Sequence, residues 1–171
     1  MIKIYINGCY IFKFIFKFNF ILLFKDLIYR MIFIEILPNL WIGNSEVLKV
    51  KEKLNINFIV NCSKDLHFLG KHSQYKMDIK NNLEKYEIIK MYEYLNETTQ
   101  FIHNKLMNDH SVLVVCESGN QKSATIIAAY IIKYGKINIA NTIKSIRTKH
   151  NSAFYPSVDY MNSLEMFESK F

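Results

Sequence analysis

The chain has 171 residues and a formal net charge of +7, from 22 Lys and Arg against 15 Asp and Glu. Half of its residues are hydrophobic and 22% are charged, which excludes wholesale disorder; five Gly and two Pro exclude a collagen-like or linker-rich chain. A length of this order suits one compact domain with a sizeable core.

Residues 1–30 stand apart. They hold five basic groups (Lys3, Lys13, Lys17, Lys25 and Arg30) and one acid, Asp26, whereas the rest carries 17 basic and 14 acidic groups, a net of only +3. This weakens a nucleic-acid role for the body and leaves a local anion site open. The segment YIFKFIFKFNFILLF (10–24) is interrupted by Lys13 and Lys17. Its unbroken apolar part, Phe20–Phe24, falls far short of the roughly 20 residues a spanning helix needs. Phe at alternate positions from Phe12 to Phe20 gives strand periodicity as much as helix. Two readings stay open: a membrane-surface anchor, or a hydrophobic basic leader outside the working protein. No small-residue cleavage site marks a secretory signal.

From Met31 to Phe171 the pattern is orderly. MIFIEI (31–36) reads as a strand, Pro38-Asn39 as a turn, and LWIG, ending at Gly43, as a second strand. Asn44-Ser45 then opens a helix to about Lys53 with Ser45 as N-cap. NFIVNC (57–62) has the continuous apolar character of a buried parallel strand, and YKMDI (75–79) is another short strand. In the long helix that follows, Ile88, Tyr92, Leu95, Thr99, Ile102 and Leu106 step by four and three and line one face. SVLVV (111–115) is a β-branched strand. SATIIAAYIIKYG is a helix stopped by Gly135 at C′, Asn138 caps a helix to about His150, and Pro156-Ser157 opens a last one with Tyr160, Leu164 and Phe167 on one face. Strands alternating with helices imply an α/β fold around a central sheet.

Three cysteines, Cys9, Cys62 and Cys116, are far apart and form no CxxC. His67, His72, His103, His110 and His150 show no metal spacing. No disulfide framework, metal or cofactor is expected, and a reducing, cytoplasmic setting fits. Trp41 and Cys62 read as core, and Arg147 and Lys149 as cations at a helix C-terminus.

The chemistry concentrates after the strand at 111–115. A buried strand, a short loop and a helix are where α/β folds place ligand sites. The loop Cys116–Lys122 would set its amides at a helix N-terminus, where the dipole favours an anion. Gly119 permits the left-handed or close-approach backbone that an anion nest requires. A thiol there, with Lys122 nearby, is favoured as thiolate and suits in-line attack at phosphorus. The plainer reading is that Cys116 is a small buried residue ending a strand.

The run VLVVCESGNQKSATIIAAYI resembles the phosphate-binding loop of the dual-specificity protein phosphatases, within the cysteine-based protein tyrosine phosphatases. That loop reads His-Cys, five residues, Arg, then Ser or Thr. EILPNLWIGNSEVLKVKEKLNINFIVNCS resembles the family's opening strands and first helix, and FYPSVDYMNSLEMFE its closing helix. The resemblance spans about 31–171 and implies a twisted central sheet flanked by helices. It implies Cys116 as nucleophile, Glu117, Ser118, Gly119, Asn120, Gln121 and Lys122 as the phosphate-holding loop, and Ser123 as the hydroxyl that assists the second step.

Three departures weaken the implied chemistry. Lys122 replaces the family's arginine, offering a point charge in place of a planar fork; one lost donor at a developing charge costs about 3–4 kcal/mol. Val115 replaces the preceding histidine. In KNNLEKYE, Asn81 and Asn82 align with the general-acid aspartate, and loss of such an acid costs about 10²–10⁴ in rate. Asp78 and Glu84 are candidate substitutes whose plainer role is surface charge. Two expectations follow: an impaired phosphatase acting on phosphotyrosine, with phosphoserine and phosphothreonine as further substrates, or a pseudophosphatase that binds phosphorylated proteins. Release of phosphate from RNA 5′ ends is a minor third reading.

Overall fold

In the computed structural model of the chain, residues 33–49, 55–67 and 73–171 are described. The leader 1–30, Cys9, Met31, His72 and the expected end of the first helix near Lys53 lie outside them.

Strand β1 (Phe33–Leu37) turns back through Pro38-Asn39 into β2 (Leu40–Gly43), pairing antiparallel with a register shift between Glu35 and Leu37. Asn39 takes a positive φ of 63°, and its N–H donates to Glu35 Oε1 at 2.9 Å. An asparagine tolerates this left-handed position better than most residues. The sheet continues through β5 (Val112–Val115), β3 (Phe58–Asn61) and β4 (Ser73–Lys76), in the order β1-β2-β5-β3-β4, with all contacts beyond β1–β2 parallel. β5 has a strand on either side, and Val112, Leu113, Val114 and Val115 are all fully buried. That explains its unbroken β-branched and aliphatic sequence.

Helix α1 (Lys85–Leu106) and helix α2 (Lys122–Gly135) pack on each other and on β5, and α2 also reaches β2. Helix α3 (Ile139–Lys149) packs on α2 and β1, and helix α4 (Met161–Glu168) on α1 and α2. Residues Ala124–Ile132 are buried without interruption, so α2 is the central helix. This is the α/β arrangement of a central sheet flanked by helices.

Several elements differ in detail from the sequence reading. After β2 the chain forms a 3-10 turn, Ser45–Lys49, rather than an α-helix starting there, and its second amide is capped by Asn44 Oδ1, which accepts from Glu46 N–H at 2.9 Å. Asn44 and not Ser45 is thus the cap. The fourth strand begins two residues before YKMDI and ends three residues before that run does, because pairing with β3 runs from Phe58↔Ser73 to Asn61↔Lys76. Beyond it, Met77 and Ile79 still tie back to Asn61 and Lys64 by main-chain bonds. The buried stripe of α1 includes Leu95, Thr99 and Ile102 as expected, but it is rotated to take in Glu87, Met91 and Thr98, leaving Ile88, Tyr92 and Leu106 half-buried. Gly135 is the last residue of α2. The left-handed cap falls on Lys136 (φ 54°, ψ 36°), whose N–H donates to Ile132 O. Asn138 caps α3 as expected, accepting from Asn141 N–H at 2.9 Å. Tyr160, Leu164 and Phe167 of the last helix are buried together, with Tyr160 as its N-cap rather than Pro156-Ser157.

Candidate active site

Parallel strands β5 and β3 end at the same level, Val115 opposite Asn61. The residues that follow them therefore meet: Cys62 and Ser63 on one side, Cys116 and Glu117 on the other. Cys62 N–H donates to Val115 O at 2.9 Å. Burial pushes the Cys62 thiol well above its ordinary pKa, and the neighbouring Cys116 raises it further. Cys62 thus stays a protonated core thiol.

Cys116 is 1% exposed, and its Sγ lies 3.1 Å from Ser123 Oγ in the first turn of α2. Its side chain faces the start of that helix. Between the two, the loop hangs from the scaffold by its carbonyls. Glu117 O accepts from Ser45 N–H at 3.2 Å, Asn120 O from Phe154 N–H at 2.8 Å and Gln121 O from Thr125 N–H at 2.8 Å. Gly119 O lies 3.1 Å from His150 Nε2, which must carry the proton because a carbonyl can only accept. A trans peptide unit points its N–H opposite to its C=O. With these carbonyls drawn outward, the amides of Ser118, Asn120, Gln121 and Lys122 turn inward. Asn120 N–H is met by Ser118 Oγ at 3.2 Å. Gly119 makes the curl possible. Its φ is +75°, and a Cβ there would lie 3.0 Å from Gly43 C and 3.1 Å from Asn44 N.

Side chains complete the suspension. Gln121 Nε2 donates to Tyr155 O and Ser157 O at 3.2 and 2.8 Å, and Gln121 Oε1 accepts from Asp159 N–H at 3.3 Å. Ser152 Oγ donates to Asn120 Oδ1 at 3.1 Å. Arg147 donates through Nε to Ala153 O and through Nη2 to Phe154 O, so it braces the segment that holds Asn120. Lys149 Nζ donates to Ile36 O at 2.9 Å. Neither cation is directed to the loop's concave side. Burial holds the His150 pKa below its ordinary value, against the partial support of the Gly119 carbonyl.

Lys122 is where the structure departs most from the expectation. Its side chain is 2% exposed and its ammonium is fully engaged: with Ser63 Oγ at 2.5 Å, with Glu117 Oε2 at 3.0 Å and with Ile79 O at 3.4 Å. Ser63 Oγ also donates to Glu117 Oε1. Desolvation raises the half-buried Glu117 carboxyl, but Ser63, the residue's own amide and Lys122 outweigh it and hold the pKa below the usual value. The lysine is thus the cation of a built-in ion pair and not a free phosphate ligand.

Of the acids after β4, Asp78 and Glu87 are engaged elsewhere. Asp78 is paired with Lys90 at 3.0 Å and Lys64 at 3.3 Å, and the hydrogen bond from Lys90 leads in holding its carboxyl below the ordinary range. Glu84 is exposed at the head of α1. Asn81 is exposed, and Asn82 is half-buried with its Oδ1 enclosed and unpartnered. Glu87, 2% exposed, accepts from Lys80 N–H at 3.0 Å and anchors this stretch to α1.

The sequence model of the dual specificity phosphatase catalytic domain matches residues 40–170. The chain belongs to the dual specificity phosphatase family. Dual specificity protein phosphatase 1-B of Xenopus laevis is 30% identical over 142 residues, covering 80% of this chain and 37% of that protein. The human dual specificity protein phosphatase 1 is 29% identical over 144 residues, again 37% of its length. The chain spans little more than a third of these relatives. It spans 90% of "Putative tyrosine phosphatase 123R" of Invertebrate iridescent virus 6, at 25% identity over 135 residues and 78% of this chain. Among solved structures, human DUSP28 superposes with a TM-score of 0.71 at 15% identity, covering 81% of this chain and 93% of that one. The human tyrosine phosphatase-like serine/threonine/tyrosine-interacting protein gives 0.68 at 19% identity, covering 82% and 97%. These two likenesses show the fold.

For a dual specificity phosphatase domain, the structure adds side chains that the sequence reading left aside: Ser63, Glu87, His150 and the carboxylate of Glu117. Ser63 had a signal, since residues just past the ends of adjacent parallel strands converge. His150 had none, because its reach to Gly119 spans 31 positions. Among the described residues no group of three or more His, Cys, Asp or Glu is placed to hold a metal ion, and no helix is long and apolar enough to cross a membrane.

Proposed function

We propose that this domain binds phosphorylated protein side chains, phosphotyrosine foremost, in the 116–122 loop and hydrolyses them slowly through Cys116. The observation that carries this reading is the 3.1 Å approach of Cys116 Sγ to Ser123 Oγ under a loop whose carbonyls are turned outward. Inward amides and the start of α2 favour an oxyanion there. In the first step the Sγ–P bond forms as the P–O bond to the aryl group breaks. In the second, water attacks phosphorus, the S–P bond breaks, and the Ser123 hydroxyl donates to the departing thiolate. An aryl oxygen leaves without a proton more readily than an alkyl oxygen, so the amides at positions 81 and 82 handicap phosphoserine and phosphothreonine more than phosphotyrosine.

A second reading, capture of phosphorylated protein without turnover, is favoured by the commitment of Lys122 to Glu117 and Ser63. One assay separates the two. Purified protein is given an aryl phosphate beside C116S and K122R. Turnover lost in C116S supports the slow enzyme. Absent turnover in the unaltered protein, with phosphotyrosine-peptide binding retained, supports the capture module. Absence of both overturns the site. The reducing, cytoplasmic setting expected from the cysteines belongs to the same proposal.

A further inference from the structure

An anion loop that carries its own carboxylate is an unexpected construction. Glu117 follows the proposed nucleophile directly, and its carboxylate takes the lysine ammonium at 3.0 Å. It also accepts a hydrogen bond from the Ser63 hydroxyl. Lys122 is 2% exposed and Glu117 32%, so the pair is shielded on the lysine side and open on the carboxylate side. Attraction across 3.0 Å in a partly buried setting is screened far less than at a surface.

We propose that Glu117 is a resident competitor: its side chain occupies Lys122, so an incoming dianion binds either without the lysine's help or by displacing the carboxylate. Ser63, projecting from the neighbouring strand end, is the positioning residue that holds both partners. The proposal rests on the anion-loop reading above and deepens it, since it makes Glu117 the residue that sets how tightly a doubly charged phosphate is held. It also makes Lys122 a latent ligand.

The test is equilibrium binding of inorganic tungstate, by calorimetry at neutral pH, to the unaltered protein, E117Q, K122M and the double variant E117Q/K122M. E117Q is expected to bind at least about tenfold more tightly, equivalent to about 1.4 kcal/mol. That gain is expected to vanish in E117Q/K122M, because the lysine is its source. Thermal melts confirm that each variant folds. S63A leaves both charges in place and removes one hydrogen bond from each, and it carries the same sign at smaller size if E117Q does not fold. Equal affinity of E117Q and the unaltered protein overturns the proposal. So does a gain that survives K122M, which would be a general effect of removing negative charge. If E117Q does not fold, unchanged affinity in S63A overturns it. Binding by none of the proteins refutes the anion loop itself, a different failure.

Discussion

Replacing Gly119 by alanine puts the loop's shape to a direct test. The added methyl carbon would lie 3.0 Å from Gly43 C and 3.1 Å from both Gly43 O and Asn44 N. These are main-chain atoms, and they are fixed: Cys116 N–H donates to Gly43 O at 3.4 Å and Ser45 N–H to Glu117 O at 3.2 Å. The contact cannot be relieved by a rotamer change. A φ of +75° costs an L-residue about 1–2 kcal/mol, and overpacking against rigid neighbours costs about 1–3 kcal/mol more. The expected loss is about 2–5 kcal/mol. At about 2–4 °C per kcal/mol for a domain of this size, the melting midpoint drops by about 4–20 °C. Relief by opening the loop would turn the inward amides away, so tungstate affinity falls as well. Circular-dichroism melts and tungstate titration of the G119A protein measure both. A midpoint within about 2 °C of the unaltered protein, with unchanged tungstate affinity, would refute the curled loop and the function built on it.

Three further outcomes are expected. S123A slows breakdown of the phosphocysteine more than its formation, so rapid-mixing traces with an aryl phosphate show a burst of phenol that the unaltered protein lacks. N82D, which places a carboxyl where the enclosed amide oxygen sits, raises turnover of alkyl phosphates more than of aryl phosphates, within the about 10²–10⁴ that a general acid supplies; equal effects on both would place the side chain away from the leaving group. His150 has a depressed pKa in the fold, so the unfolded chain binds its proton first as pH falls. Its contribution is complete above the unfolded value near 6.5 and is lost as pH falls toward the folded value. Melting midpoints measured downward from pH 7.5 should therefore decline more steeply for the unaltered protein than for H150Q.

The fold was legible wherever local chemistry decides the outcome. The apolar run of NFIVNC, the β-branched SVLVV and the cap at Asn138 each act through near neighbours. Gly119 was legible for the same reason, as a loop with one glycine between a buried strand and a helix. What escaped depended on partners distant in the chain. Gly135 looked like the natural left-handed stop for α2, but the helix runs through it and that conformation falls on Lys136. Lys122 looked like a substituted phosphate ligand because the family resemblance sets it at the arginine position. Its actual partners include Ser63 and the Ile79 carbonyl, 59 and 43 positions away, and no periodicity predicts them. The face of α1 was read from a spacing of mostly apolar residues that begins at Ile88, so the inward turn of Glu87 to Lys80 could not be seen.

The loop is tied to later parts of the chain more than to earlier ones: Asn120 to Ser152 and Phe154, Gly119 to His150, and Gln121 to Tyr155, Ser157 and Asp159. A nascent chain that has emerged only through α2 already possesses its nucleophile, all five described strands and the ties of Glu117 to Ser45 and Ser63, yet lacks every partner that Gly119 and Asn120 find further on. Competence therefore waits for residues 150–159, and a cut between Lys149 and Tyr160 would leave a body with much of its core in place but a loop without these ties.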